Sequence, residues 1–207
     1  MFCRTTTKSL LIENKDFWKF LRRNFVVSFR YFLDFYVVFN HQMKIKLKIL
    51  EVNDVTKEYV SWFSDKDVIK FSQNQYRKFT LSGQKKYVKE CLKNKDIKLF
   101  GIFYKKKHIG NICLSGLISP NKSSEITYVI GDKSLWGKGA ASQAISKTIS
   151  IAKKKYKLNK LFAGVADNNL GSKKVLEKNN FKLEGIRKKH LLINNKFYNQ
   201  LDYGLLL

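Results

Sequence analysis

Proline and cysteine are both scarce in this chain of 207 residues, which contains one Pro and three Cys. So little Pro, together with 44% hydrophobic residues, excludes a disordered or linker-rich protein. Cys3, Cys91 and Cys113 lie far apart and form no CxxC or other metal-ligand spacing. The cysteine pattern therefore predicts reduced thiols in a reducing compartment, the cytoplasm, and no metal site.

The chain also lacks an apolar run long enough to cross a bilayer. The best candidate, residues 25–39, carries Arg30 and Asp34 and falls short of the roughly 20 residues that a transmembrane helix needs. No small-residue cleavage site follows it, which excludes a secretory signal as well. We therefore predict no transmembrane segment.

Residues 1–42 differ from the rest of the chain by their density of Phe and Tyr. One interpretation is an artefact of start-site choice, because Met43 opens a strand-like run with alternating apolar residues. The other is an interfacial amphipathic helix with four aromatic anchors: Trp18, Phe20, Phe25 and Phe29. Either way, we predict an N-terminal extension over residues 1–42 and one globular domain over residues 43–207.

Acidic residues are few, since 16 Asp and Glu against 41 Lys and Arg give a formal net charge of +25. Such a charge is typical of proteins that neutralise phosphates. The lysines, however, are scattered in pairs along the chain, which favours solvated surfaces and a general compositional bias. We expect no stable nucleic-acid partner. The positive charge would nevertheless strengthen the binding of a polyanionic cofactor.

Hydrophobic periodicity predicts a mixture of strands and helices over residues 43–207. A strand over residues 43–50 precedes a helix that Asn53 or Asp54 caps. A second helix begins at Ser82 and turns four residues inward: Tyr87, Val88, Cys91 and Leu92. Between the two helices, residues 72–80 are polar and lack helical spacing, which indicates a loop.

In the second half of the chain, the sequence pattern predicts a hairpin, a central strand and helix, and a closing hairpin. The first hairpin joins two strands through the basic turn 105–108, which includes His108. The other predicted elements are a strand over 125–130, a helix over 140–154, a strand over 161–165, a short helix after Asn169, and a hairpin over 181–206 that turns at Asn194-Asn195.

Two glycines one residue apart, Gly137 and Gly139, lie between a predicted strand and a predicted helix. Glycine removes the Cβ where a phosphate approaches the main chain, and the helix start offers unpaired N–H groups and a positive dipole end. The sequence contains no GxxxxGK[ST] loop, and Ser142 replaces the third glycine of GxGxxG. The turn is therefore predicted to be an anion cradle of another type.

The residues of this turn resemble the acetyl-CoA signature of the GNAT acetyltransferases. The run Trp136-Gly137-Lys138-Gly139-Ala140-Ala141 has the form found in the branch that includes the ribosomal-protein N-terminal acetyltransferases. Residues 169–181 resemble the second family block, which begins Asn-x-x-Ser and ends Leu-Glu-Lys-x-Gly-Phe. The resemblance covers residues 43–207 and departs at two positions. Asn180 replaces the usual Gly, and Leu176 stands where many members have a Tyr general acid.

The resemblance implies the α/β GNAT fold, a mixed and twisted sheet with helices on both faces and a slot beside its third strand. It also implies acetyl-CoA as co-substrate. The residues that it implies for acetyl-CoA are Tyr128, Val129, Ile130, Trp136, Gly137, Lys138, Gly139, Ala140, Ala141, Ser142, Asn169 and Ser172.

The implied reaction is direct attack of a neutral amine on the thioester, so a base must remove the ammonium proton. Glu125, at the start of the strand that lines the slot, is the first candidate, directly or through water. His190 in the closing hairpin is the second candidate.

The acceptor is predicted from a second set of residues, chiefly Tyr59, Trp62, Gln75, Tyr76 and Arg77. These resemble acetyltransferases that act on amino sugars in nonulosonic acid pathways, such as the UDP-4-amino-4,6-dideoxy-N-acetyl-β-L-altrosamine N-acetyltransferase of pseudaminic acid synthesis. Tyr76 would stack on a ring, and Arg77 would bind a diphosphate.

Two rival functions stay open beside this small-molecule acceptor. One is N-terminal acetylation of a ribosomal protein, which needs an acidic groove for a peptide amine. The other is a basic nucleic-acid-binding module with a degenerate GNAT fold, which needs basic residues gathered on one face. A homodimer is compatible with each of them.

Overall fold

The computed structural model describes residues 43–207, and the predictions made for residues 1–42 lie outside this range. Seven strands form one sheet: β1 (Ile45–Ile49), β2 (Ile97–Tyr104), β3 (Lys107–Ser115), β4 (Ser123–Ile130), β5 (Lys160–Ala166), β6 (Lys182–Ile193) and β7 (Lys196–Leu206). Their order is β1-β2-β3-β4-β5-β7-β6. All neighbouring strands are antiparallel except β4 and β5, which are parallel.

Four α-helices accompany the sheet: α1 (Lys57–Ser61), α2 (Leu81–Lys93), α3 (Ala140–Lys154) and α4 (Leu170–Lys178). They contribute to two separate cores. Ala144 and Ile145 of α3 are buried with Ile112 and Ile126 of the sheet. Val88 of α2 is buried in the other core, with Tyr59, Trp62 and Leu99. A mixed sheet covered by helices on both faces confirms the predicted fold class.

The first helix begins later than predicted. Residues Val52–Asp54 form a separate 3₁₀ turn, and the Asp54 carboxylate accepts the Glu51 N–H at 2.8 Å. Thr56 caps α1 instead, because its hydroxyl accepts the N–H of Tyr59 at 3.1 Å. The prediction of Asn53 or Asp54 as the cap of this helix is therefore wrong.

The inward face of α2 is narrower than predicted. Gln84, Val88 and Cys91 are its buried residues, whereas Tyr87 and Leu92 are each 42% exposed. The buried stripe follows helical spacings of four and three residues, which leaves Tyr87 and Leu92 at its edges. The loop predicted between α1 and α2 also contains a short 3₁₀ helix, Gln73–Tyr76.

The hairpin between β2 and β3 turns earlier than predicted. Lys105 and Lys106 adopt φ values of 47° and 68° and form the turn alone. His108 belongs to β3, where its ring stacks on Phe103 with 4.9 Å between ring centroids. Placing His108 in the turn was wrong, because lysines supply the left-handed residues that the turn needs.

Other local predictions are confirmed. The helix over residues 140–154 has the predicted bounds, and Asn194 and Asn195 turn the last hairpin with φ values of 49° and 59°.

No helix between Met43 and Leu207 is long and apolar enough to cross a membrane.

Asn180 ends α4 in the left-handed conformation, with φ of 66°. The N–H of Phe181 donates to the Leu176 carbonyl at 3.1 Å, and that of Asn180 donates to Glu177 at 3.0 Å. These two bonds make a Schellman motif, and Leu176 and Phe181 are both buried in the core beneath it.

Replacing Asn180 tests this helix end. Asn180→Gly should keep or raise the free energy of unfolding, whereas Asn180→Ala should lower it by about 1 kcal/mol, because a Cβ without a polar group strains this backbone. Urea unfolding followed by circular dichroism measures both. A Gly variant less stable than the Ala variant would contradict the assignment.

Candidate active site

The parallel strands β4 and β5 pair over only three residues before they separate. Residues 123–125 pair with residues 160–162, and within residues 43–207 these two strands form no further pairs. The later part of β4 consequently has one edge without a neighbouring strand. A cavity of about 1130 Å³ lies at this opening, lined on β4 by Thr127, Tyr128, Val129 and Ile130.

The turn after β4 is fixed by an indole hydrogen bond. Nε1 of Trp136 donates to the Ile130 carbonyl at 2.8 Å, so the side chain anchors the turn to the last residue of the strand. Gly137 and Gly139 have φ values of 74° and 85°, and a Cβ on either would meet nothing within 4 Å. Backbone conformation therefore requires these glycines, and the space beside them is open to a ligand. Lys138 does not line the cavity.

Helix α3 points its N-terminus at the cavity without a side-chain cap. Gly139 is the N-cap residue, and no acidic residue lies in the first turn. Gln143 is the first residue to donate back along the helix, to the Gly139 carbonyl at 3.0 Å. The N–H groups of Ala140, Ala141 and Ser142 precede that bond, and these three residues line the cavity. The arrangement suits a phosphate group.

The start of α4 forms a neighbouring wall. Asn169 caps the helix, with its side-chain oxygen accepting the Ser172 N–H at 3.1 Å. The Tyr128 hydroxyl donates to the Ser172 carbonyl at 3.4 Å. Burial raises the pKa of Tyr128 to about 12, and the Ser172 bond opposes that rise. The phenol is therefore protonated at neutral pH. Asn179 joins the two helices, since its Nδ2 donates to Ser142 Oγ at 3.1 Å.

Cationic side chains dominate the charged lining of the cavity: Lys70, Arg77, Lys174 and Lys178. Asp67 is the one carboxylate among the lining residues, and Lys133 Nζ lies 2.9 Å from its Oδ2. The potential inside is therefore positive, which favours an anionic ligand.

Neither predicted base lines the cavity. Glu125 is half-buried in the paired part of β4, opposite Ser115. It lies near the lining thiol of Cys113, whose pKa is raised to about 12 by burial and, to a lesser extent, by Cys91 and Glu125. His190 is exposed on β6. Leu176, at the position of the usual Tyr acid, is fully buried in the core.

The two predicted acceptor residues separate in the structure. Arg77 lines the cavity. Tyr76 is 58% exposed, does not line the cavity, and donates its hydroxyl to the Leu192 carbonyl on β6 at 3.0 Å. That bond holds the loop between α1 and α2 against the last hairpin.

Sequence reasoning missed two buried polar residues of the lining, Gln84 and Asn111. Gln84 and Asn111 are 8% and 6% exposed, and Tyr59 is buried beside them. The Tyr59 hydroxyl donates to Gln84 Oε1 at 2.9 Å. The sequence could have indicated Gln84, because its spacing from Val88 and Cys91 places this polar residue on the apolar face of the helix.

Comparison with known proteins agrees with this geometry. Residues 45–182 match the family model described as an acetyltransferase (GNAT) domain. A Bacillus subtilis protein named probable N-acetyltransferase YjcK is 34% identical over 121 residues, which are 56% of this chain and 67% of the relative.

Two solved structures show the same fold. A spermidine N-acetyltransferase from Vibrio cholerae, in complex with CoA and spermine, is 18% identical with a TM-score of 0.70 over 78% of this chain and 95% of that one. A ribosomal alpha-N-protein acetyltransferase in complex with coenzyme A is 18% identical with a TM-score of 0.71 over 79% and 94%. The chain therefore belongs to the GNAT family and is an acetyl-CoA-dependent acetyltransferase.

Proposed function

We propose that residues 43–207 transfer the acetyl group of acetyl-CoA, in the cytoplasm, to the amine of a nucleotide-linked amino sugar. The observation that carries the proposal is the charge of the cavity. Arg77 and Lys70 line it, and neither forms an ion pair with another residue of the described range 43–207. The one carboxylate of the lining, Asp67, is paired with Lys133. A nucleotide sugar brings an anionic diphosphate to such a site.

We assign the acetyl-CoA pyrophosphate to the start of α3. The N–H groups of Ala140, Ala141 and Ser142 line the cavity there, and no acidic side chain opposes an anion in that turn. The pantetheine arm then follows the unpaired edge of β4. Lys174 and Lys178 of α4 lie on the same cavity and supply positive charge for the remaining phosphate.

The acceptor occupies the end of the cavity near α1 and α2. Aromatic rings of Phe63, Phe71, Phe79 and Tyr87 line this end, with Arg77 on the connecting loop. Aromatic faces suit a sugar ring or a nucleobase, and a guanidinium binds a diphosphate bidentately. Tyr76 positions this loop through its bond to Leu192, in place of the stacking role that its sequence suggested.

Polyamines and protein N-termini fit the cavity less well, although relatives by fold act on both. A spermidine molecule carries further ammonium groups beside the one that reacts, and these favour free carboxylates in the acceptor site. A peptide N-terminus reacts at its own amine and brings no diphosphate for Arg77 and Lys70. The lining offers only Asp67, which Lys133 already neutralises.

The chemistry is direct acyl transfer. The neutral amine attacks the thioester carbon, a C–N bond forms, the C–S bond breaks, and the electron pair leaves with the thiolate of CoA, which takes up the proton that the attacking nitrogen loses. A main-chain N–H on the free edge of β4 polarises the carbonyl, a contribution of about 3 kcal/mol for one such donor. Before the attack, Glu125 receives the ammonium proton through water, because it lies on the same face of β4 as Thr127, two residues on, which lines the cavity.

The pyrophosphate assignment predicts the effect of charge at Gly139. Gly139→Asp should weaken acetyl-CoA binding by about tenfold or more relative to Gly139→Ala, because both variants share the backbone strain at φ of 85° and only Asp adds negative charge. Isothermal titration calorimetry measures both affinities. Equal affinities for the two variants would show that the pyrophosphate does not bind at this turn.

The acceptor assignment predicts a selective effect at Arg77. Arg77→Ala should raise the KM for a UDP-linked amino sugar about 10- to 100-fold, the loss of one charged contact, with acetyl-CoA binding unchanged. Lys78→Ala is the matched control, since Lys78 is the next residue, is exposed and does not line the cavity. Steady-state kinetics measure the KM of both variants. If the enzyme acetylates N-terminal peptides or spermidine and ignores nucleotide amino sugars, the proposed acceptor is wrong.

A further inference from the structure

Stacked rings and two hydrogen-bonded pairs of side chains lie behind the acceptor end of the cavity. His108 Nε2 lies 3.0 Å from the Gly110 carbonyl oxygen and 2.9 Å from Asn111 Oδ1. A carbonyl oxygen only accepts, so Nε2 carries the proton and donates. The His108 ring is fixed by stacking on Phe103 and Tyr59, at centroid distances of 4.9 and 5.5 Å.

Tyr59 links the stacked rings to Gln84. Its ring stacks on His108, and its hydroxyl donates to Gln84 Oε1 at 2.9 Å. Burial raises the pKa of Tyr59, so the phenol keeps its proton at neutral pH and stays the donor. This bond sets the orientation of the Gln84 amide.

Gln84 is where this pair reaches the cavity. Its side-chain oxygen accepts from Tyr59, which leaves its Nε2 as the group available to a ligand. Within residues 43–207 that NH₂ donates no hydrogen bond to protein, although Gln84 is only 8% exposed and lines the cavity. The NH₂ is not fully enclosed, so it is open to the cavity, where a ligand oxygen replaces water as its acceptor.

We infer that Gln84 is a specificity-determining residue whose NH₂ donates a hydrogen bond to an oxygen of the acceptor substrate, a hydroxyl or carbonyl beside the reacting amine. The amide offers only N–H groups at this point, so it binds an oxygen lone pair and rejects an ammonium or an apolar group. The inference rests on the proposed function only in placing the acceptor at this end of the cavity.

A pair of small amines that differ by one hydroxyl tests this role without a nucleotide. Wild-type enzyme should acetylate trans-2-aminocyclohexanol with kcat/KM about tenfold or more above that for cyclohexylamine, because the second amine has no oxygen to accept from Gln84. Gln84→Met keeps the length of the side chain and removes the NH₂, and it should bring the ratio near one. Thiol release from acetyl-CoA measures the rates.

Lys85→Met is the matched control. Lys85 is the next residue on the same helix, is exposed, and does not line the cavity. The variant should leave the ratio unchanged. A Gln84→Met ratio equal to that of wild type, or a Lys85→Met ratio that falls as far, would overturn the inference.

A binding measurement covers the case in which neither small amine turns over. In ¹⁵N-labelled protein with CoA, the Gln84 side-chain NH₂ signals should move on addition of trans-2-aminocyclohexanol and stay in place with cyclohexylamine. Signals that move equally with both amines, or with neither, would overturn the inference. Failure of the nucleotide-sugar assay alone would leave it standing.

Discussion

The separation of β4 from β5 is the constraint on which the rest of the structure depends. The strands pair through residues 123–125 and 160–162, and a parallel neighbour is then missing along the end of β4. Unpaired main-chain groups are tolerated only where water or a ligand meets them. The opening creates that place, and the two cores lie on opposite faces of the sheet.

The parts around the opening supply anion binding from main-chain groups. Trp136 fixes the end of β4 to the turn through the Ile130 carbonyl, and left-handed glycines then bring the start of α3 to the cavity. Asn179 holds Ser142 of α3 close to α4. The position of the N–H groups is thus set by backbone geometry and by buried hydrogen bonds, which tolerate little movement.

The features that sequence predicted well are local ones. Periodicity located the strands and α3, and the spacing of Gly137 and Gly139 located the turn, because each depends on residues close together in the chain. Gln84 and Asn111 were missed because they lie on separate elements, α2 and β3, that both line the cavity. The same limit applies to Tyr76, whose partner Leu192 is 116 residues away. Without knowledge of that partner, a Tyr in a polar loop predicts stacking on a ligand.

The central claim is that the free edge of β4 and the first turn of α3 together bind acetyl-CoA. Residue-resolved amide hydrogen exchange, with and without acetyl-CoA, tests it most directly. The account predicts that bound acetyl-CoA slows exchange within residues 127–130 and 140–142, and leaves the β6–β7 hairpin unchanged. Protection confined to the hairpin, with neither of the first two segments affected, would contradict it.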